Sequence, residues 1–116
     1  MTNTYLHNPR CSKSRQGIEI LEKNGVKFTV VEYLKDLLDK STLEKIYELL
    51  SKNYQIEEFT RTKEKTFTEI GKSIEQYQTK AKWVKLIQEN PVLLERPILF
   101  SKTKAIIGRP PENLVK

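Results

Sequence analysis

The sequence is poor in residues that cross-link a chain or ligate a metal. It has one cysteine, Cys11, and one histidine, His7, among 116 residues. One cysteine excludes an internal disulfide, and with a single histidine it leaves too few soft ligands for a structural zinc site. A lone cysteine without a secretory signal is typical of a reducing cytosol, so we expect a cytoplasmic protein with no bound metal or cofactor.

Long hydrophobic runs are also missing. No stretch approaches the roughly 18 apolar residues of a membrane span, so we expect no membrane association. The net charge of +6 favours anionic partners, and nucleic acid is one of them. However, the lysines are interleaved with glutamates, and no basic segment carries the aromatic residues of a nucleic-acid platform. We therefore expect no nucleic-acid binding and attribute most of this charge to solubility.

The length predicts one domain over residues 1–116. A short β-prone run at Thr4–Leu6 precedes a helical pattern over residues 12–24, which ends at an Asn-Gly pair. Residues 26–34 are rich in β-branched and aromatic side chains and predict a second strand. The order strand, helix, strand implies a parallel pair with a right-handed crossover.

The middle of the chain, about residues 41–94, predicts only helices. Ser41 and Glu44 match a capping box, and Trp83 lies on an apolar helical face that predicts core packing. Residues 98–107 predict a β-hairpin, and Pro110 opens a final helix. The sequence therefore predicts an α/β fold, with a four-stranded mixed sheet and an all-helical insertion.

The segment HNPRCSKSR, residues 7–15, lies between the first strand and the first helix. A cysteine there meets the unpaired N–H groups and positive dipole end of the helix, which favour a thiolate. Arg10, Lys13, Arg15 and, if protonated, His7 act in the same direction. The alternative is that Cys11 is a small buried hydrophobe, but its polar and turn-forming neighbours are unlike a core. The same helix end can bind an oxyanion against the sulfur, where Ser12 and Ser14 add hydroxyl donors.

Three segments together resemble the ArsC family of arsenate reductases, the kind that uses glutathione and glutaredoxin. They are HNPRCSKSR, LLERPILF and IIGRPPENL. The resemblance covers essentially the whole chain and implies a thioredoxin-like fold. It also implies arsenate, or a similar tetrahedral oxyanion, as substrate, glutathione as co-substrate and glutaredoxin as partner.

The resemblance implies a role for each matching residue. Cys11 matches the nucleophile, and Pro97 matches a cis-proline beside it. The residues implied to stabilise the thiolate are His7, Ser14 and Arg15. Those implied to bind the oxyanion are Arg61, Arg96 and Arg109. Four of the five arginines, at positions 10, 15, 96 and 109, lie in these three segments, and the fifth, Arg61, lies in a fourth matching segment, FTRT at residues 59–62. Arginine suits oxyanions because its planar fork of donors is always charged.

The chain departs from the Cys-x-x-Cys pattern of related thiol proteins, because Ser14 stands where a second cysteine would be. An oxidised Cys11 therefore needs an outside thiol to be reduced. Three functions remain open: an arsenate reductase, a glutathione-linked thiol-disulfide oxidoreductase, and a regulator that binds a protein partner, like the Spx branch of this fold. We expect a monomer.

Overall fold

The computed structural model describes residues 3–116, which separate into two compact units. Residues 3–36 and Arg96–Lys116 form the first unit, and Leu37–Glu95 form the second. The first, the sheet unit, holds every described strand, and the second, the helical unit, consists of helices and their connections. The expectation of one domain over residues 1–116 stays a prediction, and its first two residues lie outside the described part.

A four-stranded mixed sheet forms the centre of the sheet unit, as predicted. Its strands follow the order β2-β1-β3-β4, in which β1 pairs parallel with β2 and antiparallel with β3, and β3 pairs antiparallel with β4. The strands are β1 (Thr4–Leu6), β2 (Thr29–Val31), β3 (Ile98–Phe100) and β4 (Ala105–Ile107). Tyr5 and Leu6 of the central strand β1 are fully buried, which places the core around it.

The prediction of a strand over residues 26–34 is too long. The Val26 amide still bonds to the Leu21 carbonyl at the end of the preceding helix. At the other end, the amides of Lys35 and Asp36 both donate to the Glu32 carbonyl and form a turn. Strand β1 has three residues, so only three residues of the stretch 26–34 pair with it in the sheet.

Helix α1, Ser12–Lys23, confirms the first predicted helix and carries the thiol segment at its start. It ends at Asn24, before Gly25 with a φ of 69°, a left-handed conformation that glycine adopts without strain. The helix packs against the C-terminal 3₁₀ helix and covers Tyr5, whose hydroxyl donates to the Ser14 carbonyl at 2.6 Å. Burial raises the pKa of Tyr5 to about 12, so the phenol stays protonated and remains a donor.

Gly17 lets α1 approach the sheet, because a Cβ there would collide with the Tyr5 hydroxyl and with Leu114. We expect Gly17→Ala to lower the free energy of unfolding by about 1–3 kcal/mol through overpacking. In a helix without this contact the same change is stabilising by about 1 kcal/mol. Urea unfolding measures the difference, with Gln16→Ala on the exposed side as the control. A Gly17→Ala protein as stable as the wild type would contradict the close approach.

The helical unit is built around Trp83, which is fully buried as predicted. Its helices are α2 (Lys40–Ser51), α3 (Ile56–Phe59), α4 (Lys65–Ile70) and α5 (Lys80–Glu89), with 3₁₀ helices at Ile74–Tyr77 and Pro91–Leu93. Helix α2 packs against α5, and the rings of Tyr47 and Phe59 contact the Trp83 ring. Thr79 caps α5 by accepting from the Lys82 amide at 3.3 Å.

Two predicted helix details are wrong. The N-cap of α2 is Asp39, not Ser41: the Asp39 carboxylate accepts from the Thr42 amide at 2.8 Å, and the Ser41 hydroxyl donates to that carboxylate. A carboxylate also interacts favourably with the positive end of the helix, which the serine hydroxyl does not. The final helix is a tight 3₁₀ helix, Pro111–Val115, and is not α-helical.

Candidate active site at the start of the first helix

Cys11 is the N-cap residue of α1, with extended backbone angles of φ −94° and ψ 122°. Its own amide donates to the Asn8 carbonyl at 2.9 Å, and its carbonyl accepts from the Arg15 amide at 3.0 Å. The cysteine is therefore held at both sides by backbone bonds, and its side chain is partly exposed. Because α1 starts directly after it, the sulfur meets the amides of the first helical turn.

Several groups act on the pKa of Cys11. Partial burial raises it, but hydrogen bonds from the Ser14 amide, the Arg96 guanidinium and the Lys13 amide lower it by more. The pKa of Cys11 is therefore held below its ordinary value. Two of these donors are backbone groups at the helix start, so the favourable potential comes from the fold as well as from the charge of Arg96.

Arg109 also approaches the thiol. Its Nη2 lies 3.5 Å from the Cys11 Sγ, and its Nε donates to the Arg96 carbonyl at 2.7 Å. A distance of 3.5 Å is ordinary for a hydrogen bond to sulfur, and the groups that lower the thiol pKa are Arg96 and the two amides. The Arg96–Pro97 peptide bond is cis, the geometry that the resemblance implies there. The Arg109–Pro110 bond is also cis, which no sequence signal indicated.

Ser14 is fully buried and links the loop to His7 rather than touching the sulfur with its hydroxyl. Its Oγ lies 2.7 Å from His7 Nδ1 and accepts from the Asn8 amide at 3.0 Å. The His7 amide in turn donates to the Val31 carbonyl of β2. The buried Ser14 hydroxyl therefore holds the loop through its bonds to His7 and Asn8. The Ser14 amide donates a separate hydrogen bond to the Cys11 thiolate. Sequence reasoning placed Asn8 in a turn, because Asn-Pro is a turn signal, but gave it no role in holding the loop.

The idea that a protonated His7 adds positive charge is wrong. Burial lowers the pKa of His7, and this outweighs Glu32, which raises it; the charge of Arg15 lowers it further. The imidazole is therefore neutral at neutral pH, since its ordinary pKa is about 6.5. The neutral ring contributes a hydrogen bond with Ser14 Oγ, which helps to hold the loop before Cys11.

Arg15 supports the loop through its backbone. Its Nη1 donates to the Pro9 carbonyl at 2.7 Å, which joins the first turn of α1 to the turn before Cys11. The hydrogen bonds that lower the pKa of Cys11 come from other residues. We therefore assign Arg15 the positioning of the loop, where the resemblance implies direct stabilisation of the thiolate.

Arg61 belongs to the helical unit, and the other two implied oxyanion-binding arginines belong to the sheet unit. Its Nη1 lies 2.8 Å from Glu95 Oε1 and its Nε lies 3.2 Å from Glu64 Oε1. Burial lowers the pKa of Arg61, but the bonds to Glu95 and then Glu64 raise it by more. Sequence reasoning missed both carboxylates, although Glu64 stands at the i+3 spacing of a favourable pair.

Within residues 3–116, no group of three histidine, cysteine, aspartate or glutamate side chains is arranged to hold a metal ion. In the same range, no helix is long and apolar enough to cross a bilayer.

The lowered thiol pKa predicts a pH profile. Absorbance at 240 nm should rise through an inflection below the usual value of about 8.5, and alkylation by iodoacetamide should fall below that inflection as the thiolate is protonated. Arg96→Gln should move the inflection to higher pH because it removes a charged donor. Lys13→Ala should not, since its backbone amide remains. An inflection at the ordinary value in the wild-type protein would contradict this account.

Fold and site together define a thioredoxin-like α/β protein with one cysteine thiol at a helix start, faced by arginine guanidinium groups. The model of the ArsC family matches residues 6–116. The chain belongs to the ArsC family.

Individual relatives agree with this assignment. The Escherichia coli (strain K12) protein YfgD is 39% identical to this chain, over 95% of this chain and 91% of that protein. An arsenate reductase of Neisseria meningitidis serogroup A is 38% identical, over 93% of this chain and 91% of that protein. The structure of an arsenate reductase from Vibrio cholerae superposes with a TM-score of 0.82 at 32% identity, and covers 97% of this chain and 93% of that one.

Proposed function

We propose that the protein reduces arsenate to arsenite, with Cys11 as the nucleophile. The observation that carries the proposal is the set of donors around one sulfur: the amides of Lys13 and Ser14, and the guanidinium groups of Arg96 and Arg109. The two amides and Arg96 favour a thiolate, and the positive potential of the helix start and both guanidinium groups attracts a tetrahedral oxyanion to the sulfur. Relatives whose names state arsenate reductase support this choice of substrate.

In the first step, the Cys11 thiolate attacks arsenic. A sulfur–arsenic bond forms, and one arsenic–oxygen bond breaks. The departing oxygen leaves as hydroxide and is protonated by solvent to water. Arsenic remains As(V), because the sulfur supplies the electron pair of the new bond and the leaving oxygen retains the pair of the old one. Arg96 and Arg109 offset the charge of the remaining arsenate oxygens during this exchange.

The reduction follows in a second step. A glutathione thiolate attacks the Cys11 sulfur, a disulfide forms, and the sulfur–arsenic bond breaks with its electron pair going to arsenic, which leaves as arsenite. Glutaredoxin then attacks the glutathione sulfur of the mixed disulfide and releases the Cys11 thiolate. The chain has one cysteine, so the reduction needs an outside thiol, and this proposal assigns that part to glutathione and glutaredoxin. A reducing cytoplasm supplies them, and the reaction needs no bound cofactor.

A coupled assay tests this function. Purified protein, arsenate, glutathione, glutaredoxin and glutathione reductase are combined, and NADPH oxidation is followed. We expect oxidation that depends on arsenate, on glutaredoxin and on this protein, with arsenite formed in equal amount. Omitting each component in turn provides the controls. If no arsenite forms at any arsenate concentration while the assay responds to a known arsenate reductase, the proposal fails.

A second function is favoured by the pairing of Arg61 with Glu64 and Glu95. An arginine already bound to two carboxylates is poorly suited to hold arsenate, which leaves Arg96 and Arg109 as anion donors. The protein would then be a glutathione-linked thiol-disulfide oxidoreductase of another substrate. Exchange of Cys11 with glutathione disulfide, without arsenite formation in the coupled assay, would select this function.

A further inference from the structure

A second cleft lies in the helical unit, and all the residues that line it belong to that unit. Its volume is about 590 Å³, within the range of roughly 300–1,000 Å³ that small-molecule sites occupy. One wall is helix α5, and the other is the chain from Ile70 to Tyr77, which leads from the end of α4 through the 3₁₀ helix that packs on α5. We call this feature the α5 cleft.

The α5 cleft is strongly cationic. Lys72 lines one wall, Lys82 and Lys85 line the other, and the single carboxylate between them is that of Glu89. All three lysines are exposed, and no ion pair in the described part of the chain uses their ammonium groups. Over Leu37–Glu95 cationic and anionic side chains are equal in number, so this excess of positive charge is local to the cleft.

The cleft also has an apolar part. Leu86 of α5 is only 3% exposed, and Ile70 and Tyr77 are half-buried on the facing wall. The ring of Tyr77 packs against that of Phe67, with the centroids 6.2 Å apart. An ordered aromatic ring beside aliphatic side chains suits a flat apolar group, because aromatic side chains stack favourably on such groups.

The lining side chains change in character along α5. Lys82 lies in the first turn, where the positive end of the helix dipole adds to the charge of the lysine. Asn90 follows the last residue of the helix, about 12 Å further along its axis. The Asn90 Nδ2 donates to the Leu86 carbonyl at 3.1 Å, which holds the side chain so that its Oδ1 can accept from a ligand. The order along α5 is therefore cationic, then apolar, then hydrogen-bonding.

We propose that the α5 cleft binds a nucleoside polyphosphate, a function separate from the proposed thiol chemistry. The phosphates match the three lysines, since lysine binds phosphate as a point charge. The flat base matches the wall that holds Tyr77, and the amino and hydroxyl donors of base and ribose match Glu89 and Asn90. A ligand with one carboxylate would satisfy only part of the positive charge, and an inorganic anion would leave the apolar wall uncovered.

Three ligands separate these contributions in a titration without divalent metal ions. Uniformly ¹⁵N-labelled protein is titrated with ATP, with adenosine and with inorganic triphosphate, and amide shifts are followed by nuclear magnetic resonance. We expect saturable shifts with ATP, concentrated in residues 70–77 and 82–90. The dissociation constants of adenosine and of triphosphate should each be at least about tenfold higher than that of ATP. No arsenate is present, so the outcome does not depend on the proposed function.

Two results of this titration would overturn the proposal. One is triphosphate binding as tightly as ATP, which would reduce the cleft to a patch of surface lysines. The other is the lack of saturable shifts in the cleft, including the case in which ATP shifts only residues 8–15, where the proposed oxyanion site lies.

Lysine variants test where the phosphates bind. Lys82→Gln and Lys85→Gln should each raise the dissociation constant of ATP about two- to fivefold, the effect of one exposed charge pair. Both positions are exposed and glutamine is a good helix former, so we expect the fold to be kept. Lys52→Gln, just after α2, removes the same charge outside the cleft and should leave the ATP affinity unchanged. Equal affinities in the three variants would overturn the assignment of the phosphates.

A change at Tyr77 tests where the base binds. Tyr77→Leu keeps an apolar side chain but removes the ring, and should raise the dissociation constant of ATP about fivefold or more. The affinity for inorganic triphosphate should not change, which also controls for damage to the fold. Unchanged ATP affinity, or an equal loss for ATP and triphosphate, would overturn the assignment of the base to this wall.

Discussion

Replacing Cys11 with serine is expected to lower arsenate-dependent turnover at least about a thousandfold without disturbing the fold. The surroundings of the sulfur favour an anion, and its pKa is already below the ordinary value. A serine hydroxyl in the same place stays protonated at neutral pH and is a far weaker nucleophile towards arsenic. It also cannot form the disulfide with glutathione through which arsenite is released in the second step.

The same variant separates chemistry from binding. The amides of Lys13 and Ser14 and the guanidinium groups of Arg96 and Arg109 do not depend on the sulfur, so an anion should still bind. We expect Cys11→Ser to bind arsenate within a few-fold of the wild-type affinity by isothermal titration calorimetry. Gln16→Ala, an exposed change on the same helix, is the control and should keep full turnover. Residual Cys11→Ser turnover above about one hundredth of the wild type would show that another group is the nucleophile.

Local chemistry explains why this part of the site could be predicted. The turn residues before Cys11, the helical periodicity after it and the clustering of arginines beside prolines are all visible in the sequence. Each depends on neighbours close in the chain, so no knowledge of the fold was needed to place a thiol at a helix start. The four-stranded mixed sheet also followed, because a strand, helix, strand unit gives a parallel pair and a hairpin adds two antiparallel strands, whereas the order β2-β1-β3-β4 came only from the structure.

Other parts depended on contacts that the sequence does not reveal. The charge of His7 follows from its burial, which only the assembled sheet unit determines. Glu95 pairs with Arg61 from 34 positions away, and this changes an arginine implied to bind an anion into one already bound to carboxylates. The length of β2 is limited by the three residues of β1, although its own composition would support a longer strand. In each case a partner distant in the chain decides the outcome.

The largest expected effect on stability is at Trp83. Trp83→Ala should lower the free energy of unfolding by about 3–5 kcal/mol, because it removes the largest fully buried side chain and leaves a cavity among aromatic rings. The centroids of Tyr47 and Phe59 lie 5.5 and 5.4 Å from that of Trp83, so both rings lose a packing partner. Small domains are stable by only about 5–15 kcal/mol, so this loss could leave much of the protein unfolded at 37 °C.

Trp83→Phe is the matched control, since it keeps an aromatic ring but loses the indole N–H. That group donates to the Thr60 hydroxyl at 2.9 Å, and Thr60 is itself buried. We expect Trp83→Phe to cost about 1–3 kcal/mol from the lost bond and the smaller ring, clearly less than Trp83→Ala. Urea unfolding followed by circular dichroism measures both, because these variants lack the single tryptophan that fluorescence would report. Equal losses in the two variants would mean that the indole hydrogen bond, and not the filled volume, makes Trp83 the centre of the helical unit.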